Sequence, residues 1–195
     1  MTTTPAGHPP LHWLRAVDHP ELMATGTHAA LSGWAAVDPD VADAVAVARI
    51  DPALADTAAL TAAYDLAPDA SANCVVVSGR RAGEERIAAV VVLATTRADV
   101  NTAVKRLLDV RKASFLPTDR ATAESAMEYG GITPVGLPDG WRVLIDARVV
   151  AAGGVTGGHP AVVVGSGIRG SKLSLPGALL GRLPGAEVVE GLAVE

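Results

Sequence analysis

The sequence predicts one α+β domain built on a mixed, curved β-sheet with flanking helices. Short apolar runs rich in valine or alanine recur at 74–77, 86–95, 142–146, 161–164 and 186–189, each the length of a strand. Helical stretches fall at 53–64, 100–109 and 118–129. The C-terminal third adds glycine-rich connections and a short helix near Gly177 to Arg182, and that mixture argues for α+β.

Length and composition set the limits. A chain of 195 residues, 49% hydrophobic, can bury one real core but hardly two. Residues 1–39 read as an N-terminal extension and 40–195 as the domain. A formal charge of -5 gives no general attraction to a phosphate backbone, so any nucleic-acid contact is expected to be local. The acidic excess lies in residues 1–96, with 5 basic against 11 acidic side chains, whereas residues 97–195 hold 11 against 10. Within 97–120, Arg97, Lys105, Arg106, Arg111, Lys112 and Arg120 outnumber the acids, which makes a modestly positive stretch or an ordinary solvated face. One cysteine, Cys74, excludes an internal disulfide framework. The N-terminus shows no secretory pattern, and the longest purely apolar run, AAVVVLA at 88–94, is far too short to cross a bilayer. A cytoplasmic protein is expected.

In chain order, residues 1–10 have little to bury and read as an arm. His12 to Met23 suggest short helical turns around Pro20, with Trp13 and Trp34 packing the extension onto the body. VADAVAVARI ends in an alternating strand pattern, and Asp51-Pro52 supply the cap and first turn of a helix through Ala53 to Tyr64. The strands 74–77 and 86–95 flank SGRRAGEE, read as a hairpin loop. Val100, Ala103, Val104, Leu107 and Leu108 trace one face of a helix over 100–109. Thr118 reads as the N-cap of a helix that Gly130-Gly131 terminate.

Several motifs invite chemistry and are mostly bland. GSGIRG at 165–170 fits the dinucleotide fingerprint literally, but SKLSLPG follows it where a long helix is required. His8, His12, His19 and His28 have no convincing metal spacing, so no metal site is expected. Cys74 heads an apolar strand, where a thiol is usually a small core group. Ser166 near His159 lacks a nucleophile-elbow context. GGITPVG at 130–136 is the strongest local signal: its glycines let a ligand approach backbone N–H groups while Pro134 stiffens the bend. By spacing alone it is equally an ordinary helix-to-strand connection.

Taken in order, these segments resemble the YbaK-type aminoacyl-tRNA editing domain, the family related to the prolyl-tRNA synthetase editing domain. FLPTDRATAESAMEYGGITPVG looks like the helix that ends in a G-x-x-x-P loop, here Gly130 through Pro134, before a strand such as WRVLIDARV. TAALTAAYDL followed by SANCVVV looks like the helix leading into the site strand. The resemblance covers roughly residues 40–192. It implies hydrolysis of the ester joining a wrong amino acid to the 3′-terminal adenosine of a tRNA, without metal or organic cofactor. The implied partner is the tRNA acceptor end, with an aminoacyl-tRNA synthetase as a second partner and neither DNA nor membrane. Gly130 and Gly131 carry over as catalytic backbone, and Ile132, Thr133, Pro134 and His159 as substrate-binding positions. Asn73 stands where the family pattern has lysine; an amide can hydrogen-bond a carbonyl but brings no charge. Lys172, Arg169 and Arg80 are the candidates for a displaced cation. The alternative is a catalytically inactive module that binds tRNA, a synthetase or an aminoacyl-like ligand.

Overall fold

The computed structural model describes residues 10–152, 155–156 and 159–195, so the expected N-terminal arm falls almost wholly outside them. The chain enters through β1 (Leu14–Arg15), single helical turns at Ala16–Asp18 and Pro20–Leu22, α1 (Thr25–Val37), α2 (Pro39–Ala44) and β2 (Ala46–Arg49). α3 (Thr57–Tyr64) leads to the hairpin of β3 (Ala72–Arg81) and β4 (Glu84–Leu93), then to β5 (Arg97–Ala98), α4 (Lys105–Leu107), β6 (Ala113–Phe115) and α5 (Thr118–Ser125). The last third runs through β7 (Arg142–Asp146), α6 (Ala147–Ala151), β8 (Val155–Thr156), β9 (His159–Pro160), β10 (Val162–Gly165), β11 (Ser171–Leu175), α7 (Gly177–Leu180), β12 (Ala186–Val189) and β13 (Ala193–Val194).

The architecture is α+β. A five-stranded mixed sheet has the order β12-β7-β4-β3-β6, with β4, β7 and β12 parallel and β3 antiparallel to both its neighbours. A four-stranded antiparallel sheet has the order β1-β2-β11-β10. One parallel bridge, Ser71 to Val163, links the two at the head of β3. Both faces of the larger sheet are covered, which is why its strands read as continuous apolar runs. Val91 and Ile145 point into the main core with Leu31, Trp34, Val47, Leu173 and Leu175. Their neighbours Val90, Val92 and Leu144 point the other way, onto Val104, Leu108 and Leu192, as the two-residue period of a strand requires. Trp34 sits in the main core and Trp13 packs beside Ile50, Leu60 and Val163.

Four local expectations change. The SGRRAGEE loop is mostly strand: Arg80 pairs with Glu85 and Arg81 with Glu84, and only Ala82-Gly83 turn, at φ +52° and +86°. Opposite charges across the ladder favour that pairing, and a two-residue turn with both φ positive matches strand twist. The helix expected from Ala53 breaks because two aspartates cap in succession, Asp51 accepting from Ala53 N–H (2.9 Å) and Asp56 from Ala58 N–H (3.0 Å). The stretch 100–109 opens with a wide turn over Val100–Val104, fixed by Asp99 accepting from Thr102 and Ala103 N–H, before the short α4. Its apolar face is nonetheless buried at Ala103, Val104 and Leu108. α5 stops at Ser125, where Ala126 takes φ +55°, and Thr118 is its first residue rather than a side-chain cap. That early stop lets Met127 turn inward, where it is buried.

Two glycine-rich segments meet backbone to backbone beneath the joined sheets. Gly167 N–H donates to Gly131 O (2.7 Å) and Glu128 N–H to Gly167 O (2.8 Å). A Cβ on Gly131 would lie 2.6 Å from the Ile168 carbonyl group, and one on Gly165 would lie 2.5 Å from Ile132 O and collide with Gly131 O. Gly33, by contrast, is exposed on α1 with open space around it. Asp146 closes the far side: its carboxylate accepts from Arg148 N–H (2.9 Å) and Ala193 N–H (2.8 Å), so it caps α6 and ties down the C-terminal segment. Burial raises the Asp146 pKa, but the Arg148 guanidinium and the two N–H groups outweigh it and hold the carboxyl below its ordinary value.

In urea titrations, Gly33→Ala should stabilise by about 0.5–1 kcal/mol through helix propensity and unfolded-state entropy, while Gly165→Ala should cost about 3 kcal/mol or more through backbone collision. Equal effects at both sites would contradict the close packing described. Asp146→Asn should cost about 1.5–3 kcal/mol at pH 7. Because the folded-state pKa is depressed, this contribution is complete above about pH 4 and is lost as pH falls through the folded value. The gap between wild type and variant should therefore narrow below about pH 4.

Candidate functional site

A cleft of about 800 Å³ opens where the two sheets join. Its walls are the start of α3 (Asp56, Thr57, Leu60), the head of β3 (Ser71 to Val75), the 129–132 loop, and the facing strands β10 and β11 at Val163, Gly165 and Lys172. β3 enters it because the Ser71–Val163 bridge holds the strand's first residues against β10.

Lys172 is the buried charged group of this cleft, whereas Asp56 in its wall is exposed. The register of β11 places it opposite Ala48 and Gly165, with only 6% of its surface exposed. Its ammonium donates to Ala55 O (2.8 Å) and Gly130 O (3.1 Å), and among the described residues no carboxylate forms an ion pair with it. Burial, followed by repulsion from Arg169, lowers its pKa to about 8 against a weaker pull from Asp56. Asn73 lines the same cleft half-buried, and its Oδ1 accepts from Thr57 Oγ1 (2.7 Å). That bond orients the amide and leaves its N–H₂ end unpaired among the described residues. Cys74 also lines the cleft, but burial pushes its thiol up to about 12, so it stays protonated at neutral pH.

The G-x-x-x-P segment divides between four environments. Gly130, at φ +81°, and Ile132 line the cleft. Gly131 lies beneath them against Ile168. Thr133 is fully buried with its hydroxyl unpaired. Pro134 borders a separate hollow of about 280 Å³ with Leu137, Trp141 and Leu183. The side chain of His159 lies outside the described residues.

The other candidate cations serve elsewhere. Arg169 clamps the 129–131 loop, donating to Tyr129 O (2.9 Å) and Pro52 O (3.1 Å) with its guanidinium 5.7 Å from the Tyr129 ring. Arg80 is exposed seven residues down β3 from Asn73, ~23 Å at about 3.3 Å per residue. The basic stretch is split: Arg97 follows closely on Thr95, which lines the cleft, and donates to Glu195 O (2.9 Å). Lys112 sits beside the distal half of β3, where Ala113–Phe115 pairs with Val77–Gly79.

Sequence reasoning missed Thr57 and Ser71. Ser71 is 2% exposed with an unpaired hydroxyl in the cleft wall; nothing in its spacing marks it. GSGIRG turns between the antiparallel strands β10 and β11 and opens no helix. Ser166 in that turn is fully buried and hydrogen-bonded to Ser171. Among the described residues no cluster of three or more His, Cys, Asp or Glu side chains could hold a metal ion, and no helix is long and apolar enough to cross a membrane.

Comparison with known proteins bears on the whole arrangement. No curated protein gives a significant match. Among solved structures the chain is similar to a proposed trans-editing enzyme for prolyl tRNA synthetase, with a TM-score of 0.66 and 16% identity over 86% of this chain and 94% of that one. It is also similar to a hypothetical protein, with a TM-score of 0.61 and 18% identity over 72% and 85% of the two chains. At such identities these likenesses establish the fold. The profile of the aminoacyl-tRNA editing domain matches residues 51–183, which takes in α3, the cleft strands, both glycine-rich segments and Lys172. The chain belongs to the aminoacyl-tRNA editing domain family.

Proposed function

We propose that this protein is a trans-acting deacylase that hydrolyses the ester between a wrongly attached amino acid and the 3′-terminal adenosine of a tRNA. The observation that carries this reading is the convergence of the Asn73 amide, the Gly130–Ile132 loop and Lys172 on one cleft of about 800 Å³ within the family's matched span. That volume accommodates an adenosine with its aminoacyl group. An aminoacyl ester is already activated, so placing it beside water and facing its carbonyl oxygen with fixed donors supplies much of the rate. The unpaired Asn73 N–H₂, oriented by Thr57, is such a donor, and the Arg169 clamp fixes the Gly130 loop on the cleft wall, where the Gly131 N–H is itself taken by Glu128 O.

The substrate contact is local, at the acceptor end, in keeping with the acidic character of the chain as a whole. Solved structures of this fold include a proposed trans-editing enzyme for prolyl tRNA synthetase, and alanine, cysteine, serine and proline are the first amino acids to test. A cytoplasmic location and contact with a synthetase belong to the same reading. The second reading, a binding module without turnover, is favoured by the neutral side chain at Asn73.

Release of amino acid from tRNA charged with each of the four should be faster with wild type than in buffer. Gly130→Val should reduce it by about 100-fold, because the left-handed backbone disfavours valine and its Cβ would stand 2.8 Å from Arg169 Nη1. Thr57→Val, which leaves the fold intact but frees the Asn73 amide, should reduce it by about 10-fold. Binding of charged tRNA with no release by wild type would replace the deacylase with the binding module.

A further inference from the structure

We propose that the Lys172 ammonium is the catalytic cation of this cleft, donating a hydrogen bond to the ester carbonyl oxygen as that oxygen gains negative charge. The inference rests on the deacylase reading and adds the group that supplies positive charge. An ammonium 6% exposed without a carboxylate partner is costly to keep. Stapling two backbone carbonyls does not require a charge, since neutral donors satisfy such groups elsewhere in this fold, as Gly167 N–H does for Gly131 O. An ammonium has three donors. Ala55 O and Gly130 O take two, which fixes the direction of the head group, and the third is left for the cleft that Lys172 lines. The Gly130 carbonyl is thus turned onto Lys172, which fixes the orientation of the loop on the same wall.

In the reaction water adds to the ester carbonyl carbon and the bond from that carbon to the 3′-oxygen breaks. The proton lost by the water ends on the departing 3′-oxygen, giving the free amino acid and the tRNA hydroxyl. Lys172 stays protonated throughout; its part is to hold the oxyanion. The charges facing it are Arg169 on the β10–β11 turn and Asp56 at the start of α3, neither in ion-pair contact with it. With a pKa of about 8, the ammonium is the prevailing form below that pH and is lost above it. Enzymatic release, corrected for the blank, should therefore fall as pH rises through about 8.

The test is single-turnover release by wild type, Lys172→Met, Lys172→Arg and the double variant Asn73→Lys with Lys172→Met, each with its melting temperature and a pH series from 6.5 to about 9. Lys172→Met should lose about 100-fold or more, the size expected for an oxyanion donor, while melting close to wild type, because relief of a buried charge offsets the two carbonyl bonds that are lost. The double variant should recover at least about tenfold, since Asn73 lines the same cleft and a lysine there restores a charge-assisted donor. Release by Lys172→Met within about threefold of wild type overturns this inference and leaves the deacylase standing. A large loss with a lowered melting temperature, no recovery in the double variant and a wild-type profile flat through pH 8 makes Lys172 a structural staple and also overturns it. No turnover by wild type on any charged tRNA overturns the deacylase reading and this inference together.

Discussion

The contact on which the rest of the structure depends is the backbone-to-backbone packing of the 130–136 loop against the 165–170 turn. Gly131 and Gly165 remove the Cβ atoms that would hold the two segments apart, while the missing Cβ of Gly167 makes room for Ala24 and Thr27 at the start of α1. With them gone, Gly131 O reaches Gly167 N–H and the loop descends between α3 and β11. This close approach brings the Gly130 carbonyl within reach of Lys172 and seats Arg169 across Tyr129 and Pro52. A single methyl group in the wrong place would push the loop away from the cleft and leave Lys172 with one carbonyl partner instead of two. The literal G-x-G-x-x-G pattern in this turn therefore serves packing between chain segments, the other reason a backbone needs glycine.

The electrostatic layout divides the molecule into two regimes. Around the hairpin end, Arg81, Arg86 and Arg120 pair with Asp109, Glu84 and Glu85 at solvent-accessible sites, where such pairs are worth little. Beneath the sheets, Asp146 is buried with a full set of donors and holds α6 and the C-terminal segment together. Lys172 is buried with two carbonyl acceptors and, among the described residues, no ion-pair partner. Asp146 is satisfied and so reads as architecture; Lys172 is held in an energetically expensive state at the wall of a cleft, the condition in which titratable groups tend to serve chemistry. Asn73 in the same cleft is neutral and tethered to Thr57, so the cleft's buried positive charge comes from β11 and its neutral amide donor from β3.

Sequence alone determined much of this protein. The α+β class, the valine-rich strands at 74–77 and 142–146, the short β10 and β12, the Asp51 cap and the buried face of Val104 and Leu108 all follow from periodicity and capping, which are local properties of the chain. The order of helix, strand and G-x-x-x-P loop carried the resemblance to editing domains. Tertiary structure alone decided what the local code leaves open. Whether SGRRAGEE is loop or strand depends on the cross-strand partners of Arg80 and Arg81, and whether 53–64 is one helix or two depends on competition between two aspartate caps. Most of all, only the folded chain could show that Lys172, rather than Arg169 or Arg80, lines the cleft, or reveal Thr57 and Ser71 beside it. Those residues are brought together by the Ser71–Val163 bridge and the glycine contact, both joining segments far apart in sequence. A side chain's neighbours across such a junction are set by close packing of the whole molecule, and no spacing along the chain encodes them.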